Sequence, residues 1–392
     1  MGFFIKEFLG RLVDYLIILF LPKKRVDENY LLLIRLDSIG DYILFRNFIA
    51  ILKNSEKFRD YKIIFAGNLV WKNIAEELDS KYIEKFIWID LNKFTDPLYR
   101  YKKLKELSSF GYEYVISPVN SRRFFYGDAI VRAVNGKHKI GSEGDLSIIT
   151  KRQKKIGDKY FTKLVPSGNE IIFEFHRNKE FFEELLGTRL NIKKPEINIK
   201  QEDSVVLSDL GLKNGFVVLF IGASENYKIW DVENFAKAAE YIKNKYNLEI
   251  VLCGGKNDIK YAIKFQSFFN GKYSNLVGKT SLMDFTDILS KSRLLITNDT
   301  FAQHLAVALR LNNIIVLYNG NDFGRFVPYP AEIVKGLKYV VVFHPEIARD
   351  MEGYKKLAKT YGFESRLNIN DIKVEEVIEK IDEILNSKIE SE

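Results

Sequence analysis

Of the 392 residues only one is cysteine, Cys253. That excludes an intramolecular disulfide framework and any zinc or iron–sulfur site built on several cysteines. Histidine is nearly as scarce: His138, His176, His304 and His344 are four in all, with none at the HExxH spacing, so no metal site is expected. There is no GxGxxG, which argues against a nicotinamide-dinucleotide fingerprint. No internal repeat of 20–50 residues is present, so a solenoid is not expected. The longest apolar stretch, FFIKEFLGRLVDYLIILFL over residues 3–21, is broken by Lys6, Glu7, Arg11 and Asp14. A spanning helix needs about 20 apolar residues. The flank Pro22-Lys23-Lys24-Arg25 lacks the small-residue cleavage site of a signal peptide.

What is present is ordinary globular usage, 46% hydrophobic and 29% charged, in a chain long enough for two domains. Sixty Lys and Arg stand against 52 Asp and Glu, a net charge of +8. The surplus suits anionic ligands or anionic lipid. It is scattered rather than blocked, so nucleic acid is not expected as a partner. In residues 3–21 the four charged side chains fall within an arc of about 140° at helical spacing. Phe4, Phe8, Leu12, Tyr15 and Leu19 take the other side. The segment reads as an amphipathic helix in the plane of a membrane, with Lys23, Lys24 and Arg25 available to anionic headgroups. The alternatives are a helix packed on the protein's own surface and a spanning anchor.

Downstream, apolar runs alternate with helical patterns. YLLLIR (30–35), 62–66, 86–89 and 114–117 read as strands, as do FVVLFI (216–221), 249–253, 294–297 and 314–318. Continuous apolar runs are typical of parallel strands buried on both faces, and the alternation predicts doubly wound α/β domains. Residues 136–170 read as a long loop and 321–365 as irregular. A linker is expected near Lys193–Ser204, followed by a turn at Asn214-Gly215.

Three strand-to-helix turns carry chemistry. The first is Ile34-Arg35-Leu36-Asp37-Ser38-Ile39-Gly40-Asp41. Ligands of open α/β sheets bind at such carboxyl ends. Gly40 permits close backbone approach, and Asp41 is either a general base at the start of a helix or only its cap. The second is Gly222-Ala223-Ser224-Glu225-Asn226-Tyr227-Lys228-Ile229-Trp230. Backbone N–H groups with Lys228 suit a phosphate; otherwise this is a solvated lysine beside a core tryptophan. The third is Thr297-Asn298-Asp299-Thr300-Phe301-Ala302-Gln303-His304. It opens a helix whose N–H groups would favour an anion, with His304 one turn in; Asp299 and Thr300 are equally readable as cap residues. A fourth loop, Leu276–Leu282 with Lys279 and Thr280, precedes another helix and is able to line a nucleotide pocket.

Taken in order, these segments resemble glycosyltransferase family 9, the heptosyltransferase family of lipopolysaccharide assembly. LLLIRLDSIGDYILFRNFIAILK is similar to the family's opening strand–loop–helix, GASENYKIW to its PGA…K-x-W segment, NLVGKTSL to its nucleotide-side loop, and NDTFAQHLAVAL to D-[ST]-G-x-x-H-x-A-A-L. The family's glycine after D-[ST] is Phe301 here, a departure that leaves the donor open.

The resemblance implies an α/β GT-B fold, two Rossmann-like doubly wound domains facing a cleft. The membrane-associating helix 1–25, read from its own pattern, lies outside the resemblance, which suggests 26–200 as the acceptor domain. Residues 201–370 follow as the nucleotide-sugar domain, and 371–392 as a helix packing back on the first domain. It implies an inverting transferase without metal or other cofactor, using a nucleotide-diphosphate sugar such as ADP-heptose and an anionic glycan or lipid-linked acceptor. The enzyme would be cytoplasmic and peripheral on the inner face of the membrane. Asp41 takes the general-base position. Lys228, Lys279, Thr280, Asp299, Thr300 and His304 fall on the donor side; Ser38, Gly40, Arg122 and Arg123 on the acceptor side. The competing expectations are a catalytically silent binding or scaffold protein of the same fold, and a transferase with another nucleotide sugar or a protein acceptor.

Overall fold

The eight apolar runs are strands among the twelve of the computed structural model, which describes residues 2–168, 170–199, 208, 210–212, 215–360 and 362–386, the side chains of 2–6 excepted. In chain order the twelve are β1 (Tyr30–Arg35), β2 (Lys62–Asn68), β3 (Lys85–Ile89), β4 (Tyr112–Ser117), β5 (Gly136–Ser142), β6 (Lys163–Val165), β7 (Phe216–Phe220), β8 (Glu249–Cys253), β9 (Ser274–Asn275), β10 (Leu294–Asn298), β11 (Asn313–Tyr318) and β12 (Lys338–Phe343). The chain divides into two units, Met1–Ile192 and Lys193–Glu392, ahead of the boundary expected at 200. Ile197 is already buried in the second unit, its N–H donating to the Ala308 carbonyl at 2.9 Å. Much of the expected linker (200–207) and Asn214 of the expected turn lie outside the described residues.

Each unit holds one parallel sheet. The orders are β3-β2-β1-β4-β5-β6 and β12-β11-β10-β7-β8-β9. Counted from its own first strand, each sheet has the order 3-2-1-4-5-6 of the doubly wound dinucleotide-binding fold. β1 and β7 are central and buried on both faces, which is why they read as unbroken apolar runs. The strand order reverses between β1 and β4 and again between β7 and β10. A crevice opens at the carboxyl ends of the strands at such a reversal.

Three expectations are corrected. Residues 136–170 are not a loop: they contain β5, the helix Lys151–Gly157 and β6. The strand is masked by its lysines and glycines. Gly141 is bare because Phe161 lies where a Cβ would be, and Lys139 runs inward to the carbonyls of Val131 and Val134, at 2.7 and 2.8 Å. Burial pushes that ammonium down to about 8. Residues 321–365 contain β12, parallel to β11, and short helices including Met351–Leu357. β12 is an edge strand, only partly covered, and so lacks the buried pattern of the central ones. The final helix Val374–Asn386 buries Val377, Ile381 and Ile384 in the core of the second unit, with Trp230 and Phe235, instead of returning to the first.

The helix Gly2–Leu19 turns Glu7 and Asp14 toward the protein. Asp14 receives Arg100 Nε and Nη2 at 2.6 and 3.0 Å, and Glu7 lies 3.7 Å from Arg152. Ile17 and Leu21 join the core of the first unit beside Leu104 and Leu107. The side chains of Phe4 and Lys6 lie outside the described residues. Among the described residues no helix is long and apolar enough to cross a membrane.

Candidate functional site

In the first unit the site grows from the end of β1. Arg35 is fully buried there, its guanidinium 4.5 Å over the Phe45 ring. Its Nε donates to Asp37 Oδ1 at 3.0 Å, Nη1 to Asn178 Oδ1 at 2.6 Å and Nη2 to Glu174 Oε1 at 3.3 Å. Burial opposes that charge, but Asp37, Glu174 and Asp41 outweigh it and hold Arg35 above its ordinary range. The Asp37 carbonyl accepts from Asn68 Nδ2 and Trp71 Nε1, at 3.0 and 3.1 Å. The Asp37–Asp41 turn is therefore tied on its side-chain and backbone sides.

Ser38 is the N-cap of the helix Ile39–Phe45, and Asp41 sits in its first turn. Asp41 Oδ2 accepts the Ser38 N–H at 3.2 Å. Asp41 is half-buried, Gly40 buried and Ser38 exposed. Behind the turn, Tyr42 stacks on Trp71 and donates to Asp79, which also pairs with Arg46 at 2.7 Å.

Past β4, across the reversal from that turn, lies a polar group: Asn120 and Ser121 both donate to Asp145 Oδ2, at 2.9 and 2.8 Å. Arg122 does not serve an acceptor. It is 1% exposed, pairs with Asp128 at 3.0 Å and Asp158 at 2.9 Å, donates to the Ser142 carbonyl and lies over Phe161. Two carboxylates, Asp128 nearby and Asp158 further along the chain, account for its charge, so it is a structural cation. Its neighbour Arg123 is exposed, 5.8 Å from the Tyr126 ring.

In the second unit the loops after β7 and β10 meet at the other reversal. Asn298, at the end of β10, donates to the carbonyls of Ile221 and Gly222, both at 3.1 Å, and accepts the Trp230 N–H at 3.1 Å. One amide thus clamps both ends of the Gly222–Trp230 loop. A Cβ at Gly222 would overlap the Asp258 carboxylate. Trp230 is a core residue, its indole N–H on the Ile372 carbonyl.

Lys228 lies at the end of that loop, with Nζ 2.8 Å from Asp299 Oδ2. Asp299 Oδ1 accepts Gln303 Nε2 at 2.8 Å, and Gln303 Oε1 accepts the Tyr339 hydroxyl at 2.8 Å. Burial works against the Lys228 charge, but Asp299 overrides it and raises the ammonium above its usual range. Thr300 caps the helix Phe301–Ala308, its Oγ1 accepting the Ala302 N–H at 3.2 Å. A half-buried, charged lysine and a helix N-terminus therefore share one corner, an arrangement that suits an anion.

His304 is buried one turn further in, with Nδ1 2.8 Å from the Tyr329 hydroxyl. Burial pushes it down to about 4, so at neutral pH it brings no positive charge. Phe301 packs on Phe220 and Phe285, ring centres at 5.3 and 5.9 Å. Lys279 is exposed and donates to the Asn275 carbonyl at 2.9 Å. Thr280 is half-buried just before Ser281, which caps the next helix. Arg35, Asn68, Asn298 and Gln303 escaped the sequence reading. Arg35 and Asn298 stand at the polar ends of apolar strands, the one signal that would have marked them.

The profile of glycosyltransferase family 9 (heptosyltransferase) matches residues 100–338. A lipopolysaccharide core heptosyltransferase, OpsX of Haemophilus influenzae, is 26% identical over 153 residues. That match covers 38% of this chain and 43% of the relative, less than half of its length. Among solved structures, a family 9 glycosyl transferase from Veillonella parvula superposes with a TM-score of 0.69 at 17% identity, covering 93% of this chain and 99% of the other. E. coli heptosyltransferase WaaC, solved with ADP-2-deoxy-2-fluoro heptose, gives a TM-score of 0.64 at 18% identity, covering 91% and 100%. At these identities the solved structures speak for the fold alone.

Proposed function

The chain belongs to glycosyltransferase family 9, and from that premise we propose that it is an inverting glycosyltransferase moving heptose from ADP-heptose onto an anionic, lipid-linked glycan of the lipopolysaccharide type. One observation carries the reading: Lys228, paired with Asp299, stands at the Thr300 end of the helix Phe301–Ala308, at the strand-order reversal of the second sheet.

In this reading the donor diphosphate lies at that corner, with Lys279 and Thr280 on its nucleotide side. Asp41 takes the proton from an acceptor hydroxyl. The hydroxyl oxygen bonds to the anomeric carbon as the carbon–oxygen bond to the diphosphate breaks, which inverts that centre. The leaving diphosphate gains negative charge, which Lys228 and the helix dipole stabilise. No step is routed through a metal. Arg35 is a positioning residue that fixes the turn carrying Asp41. Ser38, Gly40 and Arg123 are left to orient the acceptor, whose lipid part places the work at the cytoplasmic face of a membrane.

Calorimetric titration with ADP, UDP, GDP and CMP, without added metal, tests the donor side. Selective ADP binding that weakens in Thr300→Ala supports the reading. Selective binding of another nucleotide moves the donor, and no binding at all replaces catalysis by a silent scaffold. Phe301 is the observation that keeps another donor in view, because its ring adds bulk where the resembled D-[ST]-G pattern has glycine.

A further inference from the structure

The helix Gly2–Leu19 is mounted with its sides reversed relative to an ordinary surface helix. Glu7, Gly10, Asp14, Ile17 and Leu21 follow one another at three- and four-residue steps and form the face turned to the protein. Asp14 is held by two hydrogen bonds from Arg100, and both side chains are only 6% exposed. Gly10 is bare on that face because the Phe125 ring stands 2.9 Å from where a Cβ would be. The opposite face is left outward: Phe8 65% exposed, Leu12 43%, Tyr15 52%, Leu16 48%, Leu19 56% and Phe20 73%. The buried Asp14–Arg100 pair sets this rotation. Turning the helix over would leave Arg100 buried without its carboxylate, at a cost that breaking a buried pair makes large.

A contiguous apolar face of this kind on a soluble chain marks an interaction site. The charge around it says which. Lys23, Lys24 and Arg25 follow the helix and are exposed; Lys151, Arg152 and Lys155 lie on the helix that meets Glu7 and are exposed as well. Exposed cations therefore follow the C-terminal end of the helix and stand on the helix that meets Glu7 near its N-terminal end. A second copy of the chain would bring these cations against each other. A bilayer carrying anionic headgroups satisfies the apolar face and the cations together.

We infer that the outward face of the Gly2–Leu19 helix is a docking surface for an anionic lipid bilayer, lying in the interface with its polar face locked to the protein by Asp14–Arg100. The inference extends the lipid-linked acceptor of the proposed function, but its test reads lipid and not transfer, so either can fail alone.

The full chain is spun with vesicles of phosphatidylglycerol and phosphatidylethanolamine, and separately with pure phosphatidylcholine. Binding to the anionic vesicles is expected at least tenfold stronger and weakened by salt. Phe8→Ser/Leu16→Ser/Phe20→Ser is expected to lower it at least tenfold, and Lys23→Glu/Lys24→Glu/Arg25→Glu likewise. The circular dichroism spectrum and thermal midpoint of both variants should match the parent, since the replaced side chains are exposed. Binding that is equal on both vesicle types, or unchanged in the serine variant, overturns the inference. So does a chain that ignores vesicles and pairs with itself by light scattering, with pairing lost in the serine variant. So does a monomer that ignores vesicles altogether.

Discussion

Replacing Lys228 by Met separates a structural ion pair from a phosphate ligand. Lys228 and Asp299 are 14% and 7% exposed at the side chain, so the pair is largely out of water. Removing one partner of such a pair costs about 3–5 kcal/mol, because the other charge stays buried. The Gln303 amide remains on Asp299 at 2.8 Å and moves the expectation to the lower end, about 3 kcal/mol. Replacing both residues, Lys228→Met/Asp299→Leu, removes the stranded charge and should recover most of that loss. Affinity for ADP behaves differently if the lysine meets the diphosphate. A hydrogen bond to a charged group contributes about 1.5–3 kcal/mol, a factor of about 10 to 150 in Kd. Both variants should then bind ADP that much more weakly, while only the single variant melts early. Calorimetry and thermal denaturation on the same samples give the two numbers. A double variant that binds ADP as the parent does would refute the phosphate role and leave the pair structural.

Three other expectations follow from the geometry. His304 titrates near 4 when folded and 6.5 when unfolded, so its contribution is complete above pH 6.5 and is lost as pH falls toward 4. The loss amounts to about 3 kcal/mol, and the difference in pH-dependent melting between the parent and His304→Gln measures it. Asp41→Asn should lower kcat by about 10²–10⁴-fold with ADP affinity unchanged, and a variant of parental rate would dismiss Asp41 as the base. Gly222→Ala forces a Cβ onto the Asp258 carboxylate and displaces the loop that Asn298 clamps. It should lower the melting temperature and ADP affinity together, whereas Ala223→Gly on the next residue should change ADP affinity little.

The central strands were legible because burial on both faces writes itself as an apolar run, as in Tyr30–Arg35 and Phe216–Phe220. The turns at their ends were legible because small and polar residues interrupt those runs at one place. β5 was not, since Gly141 and Lys139 fit it through a missing side chain and a lysine aimed inward, neither of which has a period. Arg122 was expected beside Arg123 on the acceptor side. Its second partner, Asp158, is brought to it only by the fold. Arg35 shows the same limit from the other side: Glu174 and Asn178 reach it from a helix far along the chain. Pairings between remote charges are tertiary facts, and no local pattern announces them.

Because the closing helix Val374–Asn386 stays with the second sheet, each unit is one uninterrupted stretch of chain that keeps every strand of its own sheet. A gene for this protein can therefore be cut once, after Ile192, and recombined with the matching half of a relative without severing any core. In the proposed function acceptor and donor are met by separate stretches of coding sequence, so each half can be exchanged without the other.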